Sequence, residues 1–575
     1  MAFLRNLLAT LVGLTIFSIV GLFIFFGFLA SASAESVPQV KENSVLYLNM
    51  SGILADKAVD DPFLDALNNG PVQHSLLDMI EAVRNAKYDD RIKGMYIEPM
   101  YLAGGYAGLK EVRDAIWDFK ESGKFVYAYG EYLSESDYYV VSVADSVFVN
   151  PTGAIEFNGL SANITFYKGL FDKLEIKPEI FRVGDFKSFV EPYMRKNMSE
   201  ENRLQYSSLL NSMYDTYLSN VAESTGKSIS ELKEISNEMK IRLPQDAVAQ
   251  GLIHKAGYED ELKSVMKEKL DLSEKGKVNY ISVKKYGQAS SSDYSKNRIA
   301  VIVAQGDIVM GGDEGIVGST FAEEIRKARE NNSVKAIVLR VNSGGGSMTA
   351  SDMIWRELML TKGKKPIIAS MSNAAASGGY YIAMPADTIV AQPNTITGSI
   401  GIFGLWFNLT NFLENKIGVT HDVVNTGDYS DIYTVTRELT SHERQIIQGT
   451  VDEGYKTFIG KVAENRGMEE QAVRAIAGGR VWSGEQALEN GLVDVLGSFD
   501  DAVLLAARSA GIEDDYSVSY YPKQKPFLEE FFDRMSANIQ TRLLGVEADP
   551  LLKQHQMLRN LEGIQAKMGG DLEVK

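Results

Sequence analysis

Apolar positions along the chain fall into three patterns, and each predicts a different element. From Leu7 to Ala30 the chain is almost continuously apolar, and no charge occurs between Arg5 and Glu35. About 20 such residues cross a bilayer core, so this stretch predicts an N-terminal transmembrane helix. Arg5 before it and Glu35 after it orient the N-terminus to the cytoplasm and the body of the chain outside. Ala32-Ser33-Ala34 also fits a cleavable signal sequence, although signal cores usually run shorter. In either case the body is expected to be exported.

The second pattern consists of short β-branched or apolar runs: Ile299–Ala304, Ala336–Val341 and Pro366–Met371. Such runs predict buried strands. Between them, Thr320–Glu330 and Met348–Leu360 place apolar residues at helical spacing. Strand–helix alternation predicts an α/β fold with mostly parallel sheets. Longer helices are expected over Glu200–Glu223 and His442–Glu464, with Thr440 and Glu443 forming a capping box for the second. The third pattern is the tail from about Lys523, where Phe527, Phe531, Phe532 and Met535 suggest a surface or oligomer-contact helix; a membrane-lying helix is the weaker reading, because Glu529, Glu530 and Asp533 would repel anionic lipid.

The two halves repeat. Lys93–Ile97 lies on Lys335–Leu339, and Tyr138-Tyr139 with Asp145 lies on Tyr380-Tyr381 with Asp387, each 242 positions on. Gly184-Asp185-Phe186 matches Gly427-Asp428-Tyr429, and Gln250-Gly251-Leu252 matches Asn490-Gly491-Leu492, at spacings of 243 and 240. The expected organisation is an anchor or signal over 1–34, a first α/β repeat over 45–272 and a linker over 273–298. A second repeat over 299–510 and a helical tail over 511–575 complete it.

Composition then excludes several functions. A formal net charge of −17 with no long basic run argues against a nucleic-acid partner. The absence of cysteine excludes a disulfide framework, a thiolate metal site and a cysteine nucleophile. Only five histidines are present, and none lies near the glycine-rich turns that carry the chemistry.

Those turns are Asn342-Ser343-Gly344-Gly345-Gly346-Ser347 and Ala374-Ala375-Ala376-Ser377-Gly378-Gly379, each following a predicted strand. Open α/β sheets bind ligands at the carboxyl ends of their strands. There, Ser377 would have an accessible hydroxyl, and the amides of Gly378 and Gly345 could form an oxyanion hole. A Ser-Gly-Gly alone is more often a plain tight turn. The repeat alters that balance. Ser377 falls on Glu135, and Gly378 and Gly379 fall on Ser136 and Asp137. The first copy thus keeps the scaffold without the serine or the glycines.

A serine nucleophile needs a base. Lysine serves when burial makes it neutral. Lys187 lies in Phe186-Lys187-Ser188-Phe189-Val190, and its counterpart in the second copy is Ser430. An ordinary exposed lysine is the competing reading of Lys187. His254, His421 and His442 stay open as weaker candidates.

Taken together, Asn342-Ser343-x-Gly345-Gly346, Ser377-Gly378-Gly379-Tyr380-Tyr381, Thr397-Gly398-Ser399-Ile400-Gly401 and Gly184-x-x-Lys187-Ser188 resemble the signal peptide peptidase A (protease IV) family in its long, two-repeat form. The resemblance spans about residues 45–510 and the N-terminal segment. It implies tandem Clp/crotonase-like repeats, Ser377 as nucleophile, Lys187 as general base, the amides of Gly378 and Gly345 (or Gly346) as oxyanion donors, and Ser399 as a hydroxyl orienting the lysine. It implies no cofactor and no metal. Cleaved signal peptides are the implied substrates, the bacterial inner membrane the implied location, with the body on the periplasmic side, and a homotetramer the implied assembly. One departure is Gly344, where the family usually carries proline. Two rival functions are a silent peptide-binding membrane scaffold and a crotonase-type acyl-CoA enzyme. Reactivity with a serine-directed phosphonate separates the first, and binding of a CoA ester would favour the second.

Overall fold

The three apolar runs of the second copy are the centres of neighbouring strands, Arg298–Gln305, Val334–Ser343 and Ile367–Ala376. The structure, a computed structural model, describes residues 2–33, 38–58, 72–290, 295–312, 315–523 and 563–567. These strands pair in parallel, with Leu339 opposite Ile302 on one side and Ala369 on the other. Val338, Leu339, Ile302 and Ala369 are buried, as expected of strands covered on both faces. Thr388–Ala391 and Ser517–Tyr521 extend the sheet in parallel, while Val481–Ser483 closes one end in antiparallel. Helices Gly318–Glu330 and Met348–Thr361 cover one face, and Phe499–Ala510 packs on the other.

In the first copy Ser44–Ala55, Ile92–Ala103, Phe125–Leu133 and Ser146–Ile155 form the equivalent parallel sheet. Part of the 273–298 segment, read from sequence as linker, also belongs to it. Asn279–Ser282 pairs in parallel with Ser44–Ala55, and helix Val283–Ala289 follows. The polar composition of this segment concealed a strand at the sheet.

The repeat recurs in individual hydrogen bonds. Tyr138 donates its hydroxyl to the Leu252 carbonyl at 2.8 Å, and Tyr380 does so to Leu492 at 3.0 Å. Val126 N–H donates to Asp145 Oδ2 and Ile367 N–H to Asp387 Oδ2, both at 2.9 Å. Lys124 and Lys365 each bridge two carbonyls at the end of a preceding helix. These positions survive because each satisfies a backbone group that the fold would otherwise leave unpaired.

The two long helices are Glu200–Thr225 and Ser441–Arg466, each 26 residues. Ser199 and Thr440 cap their N-termini, the latter in a capping box with Glu443, and Gly226 and Gly467 end them in left-handed conformation. A smaller mixed sheet joins the copies. Lys177–Arg182 of the first runs antiparallel to Phe403–Asn408 of the second, with Phe403 opposite Arg182.

The expectation of a single-pass protein of the inner membrane is overturned. Ala2–Ser33 is helical, yet among the described residues no helix is long and apolar enough to cross a membrane. Thr10 and Thr15 turn their hydroxyls back onto the Asn6 and Leu11 carbonyls within this helix. Of the helical tail expected over 511–575, Ser517–Tyr521 and Gly563–Lys567 are strands instead, and Phe527–Met535 lies outside the described residues.

Candidate active site

Ser377 sits where the Ile367–Ala376 strand turns into the short helix Gly378–Ala383. Its φ of 53° and ψ of −113° are strained for a residue with a Cβ. Two backbone bonds hold it there: its N–H donates to the Gly398 carbonyl at 2.8 Å, and its carbonyl accepts from Tyr381 at 2.9 Å. Gly379 is required because a Cβ there would lie 2.4 Å from the Ser343 carbonyl oxygen. The nucleophile turn and the Ser343–Ser347 turn are therefore packed backbone to backbone.

Lys187 arrives from the other copy. The strand Lys177–Arg182 is fixed to Phe403–Asn408, and the chain then turns at Gly184 and docks beside a second glycine pair, Gly478-Gly479. A Cβ on Gly479 would meet the Lys187 backbone at 2.6 Å, and one on Gly184 would meet Gly478 at 2.4 Å. Phe186 N–H donates to the Gly478 carbonyl at 3.1 Å, which fixes this approach. The side chain then runs inward past Gly401, whose Cβ would lie 3.2 Å from Lys187 Cδ.

At its end Lys187 Nζ is 2.8 Å from Ser377 Oγ and 3.1 Å from both the carbonyl oxygen and Oγ of Ser399. All within one chain, these three partners are uncharged oxygens. Lys187 is 1% exposed and Ser377 fully buried. Burial drives the Lys187 ammonium well below its ordinary pKa, and it is the only cause acting on it. Ser399 is itself in a left-handed conformation, with φ of 49°, and its N–H donates to the Arg480 carbonyl at 2.7 Å.

The other predicted groups are placed less simply. Gly378 opens the helix after Ser377, where first-turn amides have no intrahelical acceptor. Gly345 has φ of 103°, and its N–H is turned onto Ser343 Oγ at 3.1 Å. His254, His421 and His442 are exposed, and His254 Nδ1 accepts from the Val147 amide. In the first copy, the Glu135 carboxylate accepts the amides of Gly159 and Asn158. Burial raises its pKa.

Sequence reading missed the Gly478-Gly479 cradle and Arg340, a charged residue in the middle of an apolar strand. The charge within that run was the available signal. It also missed a strand slot. Gly563–Lys567 lies antiparallel between Gly345–Ser347 and Phe403–Leu405, with Gly346 opposite Ala566 and Gly404 opposite Ile564.

Residues 118–273 and 359–513 each match Peptidase family S49, one match per copy. Protease 4 of Salmonella typhi is 36% identical over 529 residues, covering 87% of this chain and 83% of that protein. The chloroplastic serine protease SPPA of Arabidopsis thaliana is 32% identical over 543 residues, covering 92% and 78%. Protease 4 of Haemophilus influenzae is 34% identical over 522 residues, covering 86% and 84%. An α/β enzyme with a buried, strained serine at the end of a parallel strand is the class that these features define. The chain belongs to peptidase family S49 and is a serine protease.

Proposed function

We propose that the protein is an endopeptidase in which Ser377 is the nucleophile and neutral Lys187 its general base. The observation that carries this reading is the 2.8 Å contact between Lys187 Nζ and Ser377 Oγ in a buried setting with no counter-ion among the described residues. Proton accounting supports it. A neutral amine has two N–H donors and one lone pair. The Ser399 carbonyl can only accept, so it takes one N–H, and Ser399 Oγ takes the other. The lone pair then faces the Ser377 hydroxyl. Ser399 thereby orients the lysine.

In the reaction, Ser377 Oγ attacks the scissile carbonyl carbon while its proton passes to Lys187 Nζ. The oxyanion forms against the amides of Gly378 and Gly345, the latter turning from Ser343 Oγ to reach it. Lys187 returns the proton to the leaving amine, and water hydrolyses the acyl-enzyme by the same route.

Substrates are extended apolar peptides, with cleaved signal peptides as the class that the resemblance suggests. The strand slot supports an extended backbone, and Phe189, Phe403 and Leu405 form an apolar cluster along it. The two copies are read as repeats over 45–272 and 299–510 with Clp/crotonase-like topology, the sheets being parallel and the turns lying at their carboxyl ends. A homotetramer rests on the resemblance alone, and light scattering on purified protein tests it.

The deciding experiment is cleavage of an apolar peptide by Ser377→Ala and Lys187→Ala, together with labelling of Ser377 by a fluorophosphonate. Both variants should be inactive and unlabelled while folded. Full cleavage by either would remove the dyad.

A further inference from the structure

Asp56 directly follows the first strand of the first copy, is 1% exposed, and points into the second copy. Its Oδ1 accepts from Arg340 Nε at 2.6 Å, and its Oδ2 accepts from Asn342 Nδ2 at 2.5 Å. Arg340 is fully buried and directs three of its other N–H groups to Glu111 Oε1, Ser370 Oγ and Ser372 Oγ, at 2.9 to 3.1 Å. Burial pushes the Glu111 carboxyl up to about 7 against the pull of Arg340. Among the described residues Glu111 Oε2 has no hydrogen-bond partner. Asp56 thus uses both carboxylate oxygens as acceptors, one for the guanidinium and one for Asn342.

Asn342 is joined at both ends. While Nδ2 donates to Asp56, Oδ1 accepts from the Ala374 amide at 3.3 Å, and its backbone carbonyl accepts from Gly306 at 3.0 Å. Residue 342 immediately precedes the Ser343–Ser347 turn, and residue 374 lies three before Ser377. One side chain therefore links the two turns that flank the reacting carbonyl. An amide can aim its oxygen at Ala374 only if its nitrogen finds an acceptor, and both Asp56 oxygens act as acceptors here.

We infer that Asp56 is a positioning residue for peptide hydrolysis: by fixing the orientation of Asn342 it sets the spacing between the Ser343–Ser347 turn and Ser377. The first copy then supplies two things to the site, the base and the brace behind the oxyanion turn. This inference rests on the proposed oxyanion role of Gly345 and Gly378.

Three variants of the full chain test it. Asn342→Ala removes the link and leaves the Asp56–Arg340 pair intact. It should lower kcat at least about tenfold, because small displacements of reacting groups are costly, with KM changed less than about twofold. Asp56→Asn turns an N–H toward Asn342 Nδ2, so the amide at 342 must flip and lose Ala374; a similar fall in kcat is expected. The exchange D56N/N342D restores every bond. Nδ2 at position 56 donates to the carboxylate at 342, Oδ1 at 56 accepts from Arg340, and the new carboxylate accepts from Ala374. Its kcat should return to within about threefold of the wild type, a recovery that tracks the hydrogen-bond pattern and not the loss of a charge.

Wild-type kcat in Asn342→Ala overturns the inference. So does a folded exchange variant as slow as Asp56→Asn. The acid limb of the rate profile should stay in place in all three, since Lys187 is untouched; a shift there would mean that Asp56 acts through the lysine. Retained cleavage by Ser377→Ala would instead defeat the underlying reading, whatever these variants show.

Discussion

Lys187 Nζ meets Ser377 Oγ at 2.8 Å across 190 positions of chain, so each copy of the repeat contributes one member of the contact. The glycines on both sides explain how a backbone from one copy comes so close to the other. A Cβ on Gly184 or Gly479 would collide with the opposite backbone. The mixed sheet of Lys177–Arg182 and Phe403–Asn408 fixes the approach. Separating the copies would therefore part Lys187 from Ser377 and remove the frame that aims it.

Activity should fall on the acid side as Lys187 takes up a proton, with the limb well below the usual lysine range because burial disfavours the ammonium. Ser399→Ala removes one acceptor. An ammonium gains more from an acceptor than a neutral amine does, so its loss should move the limb further to acid, by up to about one unit. The lysine should also lose its orientation, lowering kcat by about tenfold. A profile of kcat/KM against pH for both proteins checks the direction. A limb moved to higher pH would contradict the donor assignment.

Lys187→Met should be inactive and, at neutral pH, more stable than the wild type. The sign follows from proton binding. Between the depressed folded pKa and the unfolded value, the unfolded chain binds a proton at Lys187 that the folded chain does not, so wild-type stability rises with pH through that window. The slope is about 1.4 kcal/mol per pH unit. The advantage of Lys187→Met should hence be largest at and below the folded pKa and shrink toward the lysine's ordinary range. Denaturant unfolding at several pH values measures it, and a difference independent of pH would show that Lys187 is not depressed.

Much of this site was legible because duplication supplies an internal control. Ser377 stands where the first copy has Glu135, and Lys187 stands where the second has Ser430, while Tyr138, Tyr380, Asp145 and Asp387 are shared. Shared residues proved to be scaffold, bonding backbone groups in both copies. Asp56 could not be found this way. It is a single acid after a strand, its partner Arg340 lies 284 positions away, and only the packing of sheet on sheet joins them. The Asn279–Ser282 strand was hidden for a related reason, since a four-residue strand has too few positions to show alternation.

Gly479→Ala probes the cradle without touching a reacting group. The position has φ of +85°, and its new Cβ would lie 2.6 Å from the Lys187 backbone, so the lysine segment must shift. A displacement of about 1 Å is enough to lower kcat by roughly a hundredfold. Substrate binding should change little, because the slot is built from other strands. Retention of wild-type kcat would show that the lysine tolerates movement that the geometry does not allow.

Removing residues 563–575 should open the peptide slot. The Gly563–Lys567 strand pairs with Gly345–Ser347 on one side and Phe403–Leu405 on the other, where an extended substrate would have to lie. A tethered segment competes at an effective concentration on the order of millimolar. A truncated chain should hence show a KM for an added apolar peptide lowered by about tenfold, with kcat unchanged. The synthetic peptide Gly-Ile-Gln-Ala-Lys, added to the truncated protein, should restore competition and raise KM with its concentration. An unchanged KM on truncation would mean that the tail strand and the substrate do not share the slot. A fall in kcat would assign residues 563–575 to the support of the Gly345 turn instead.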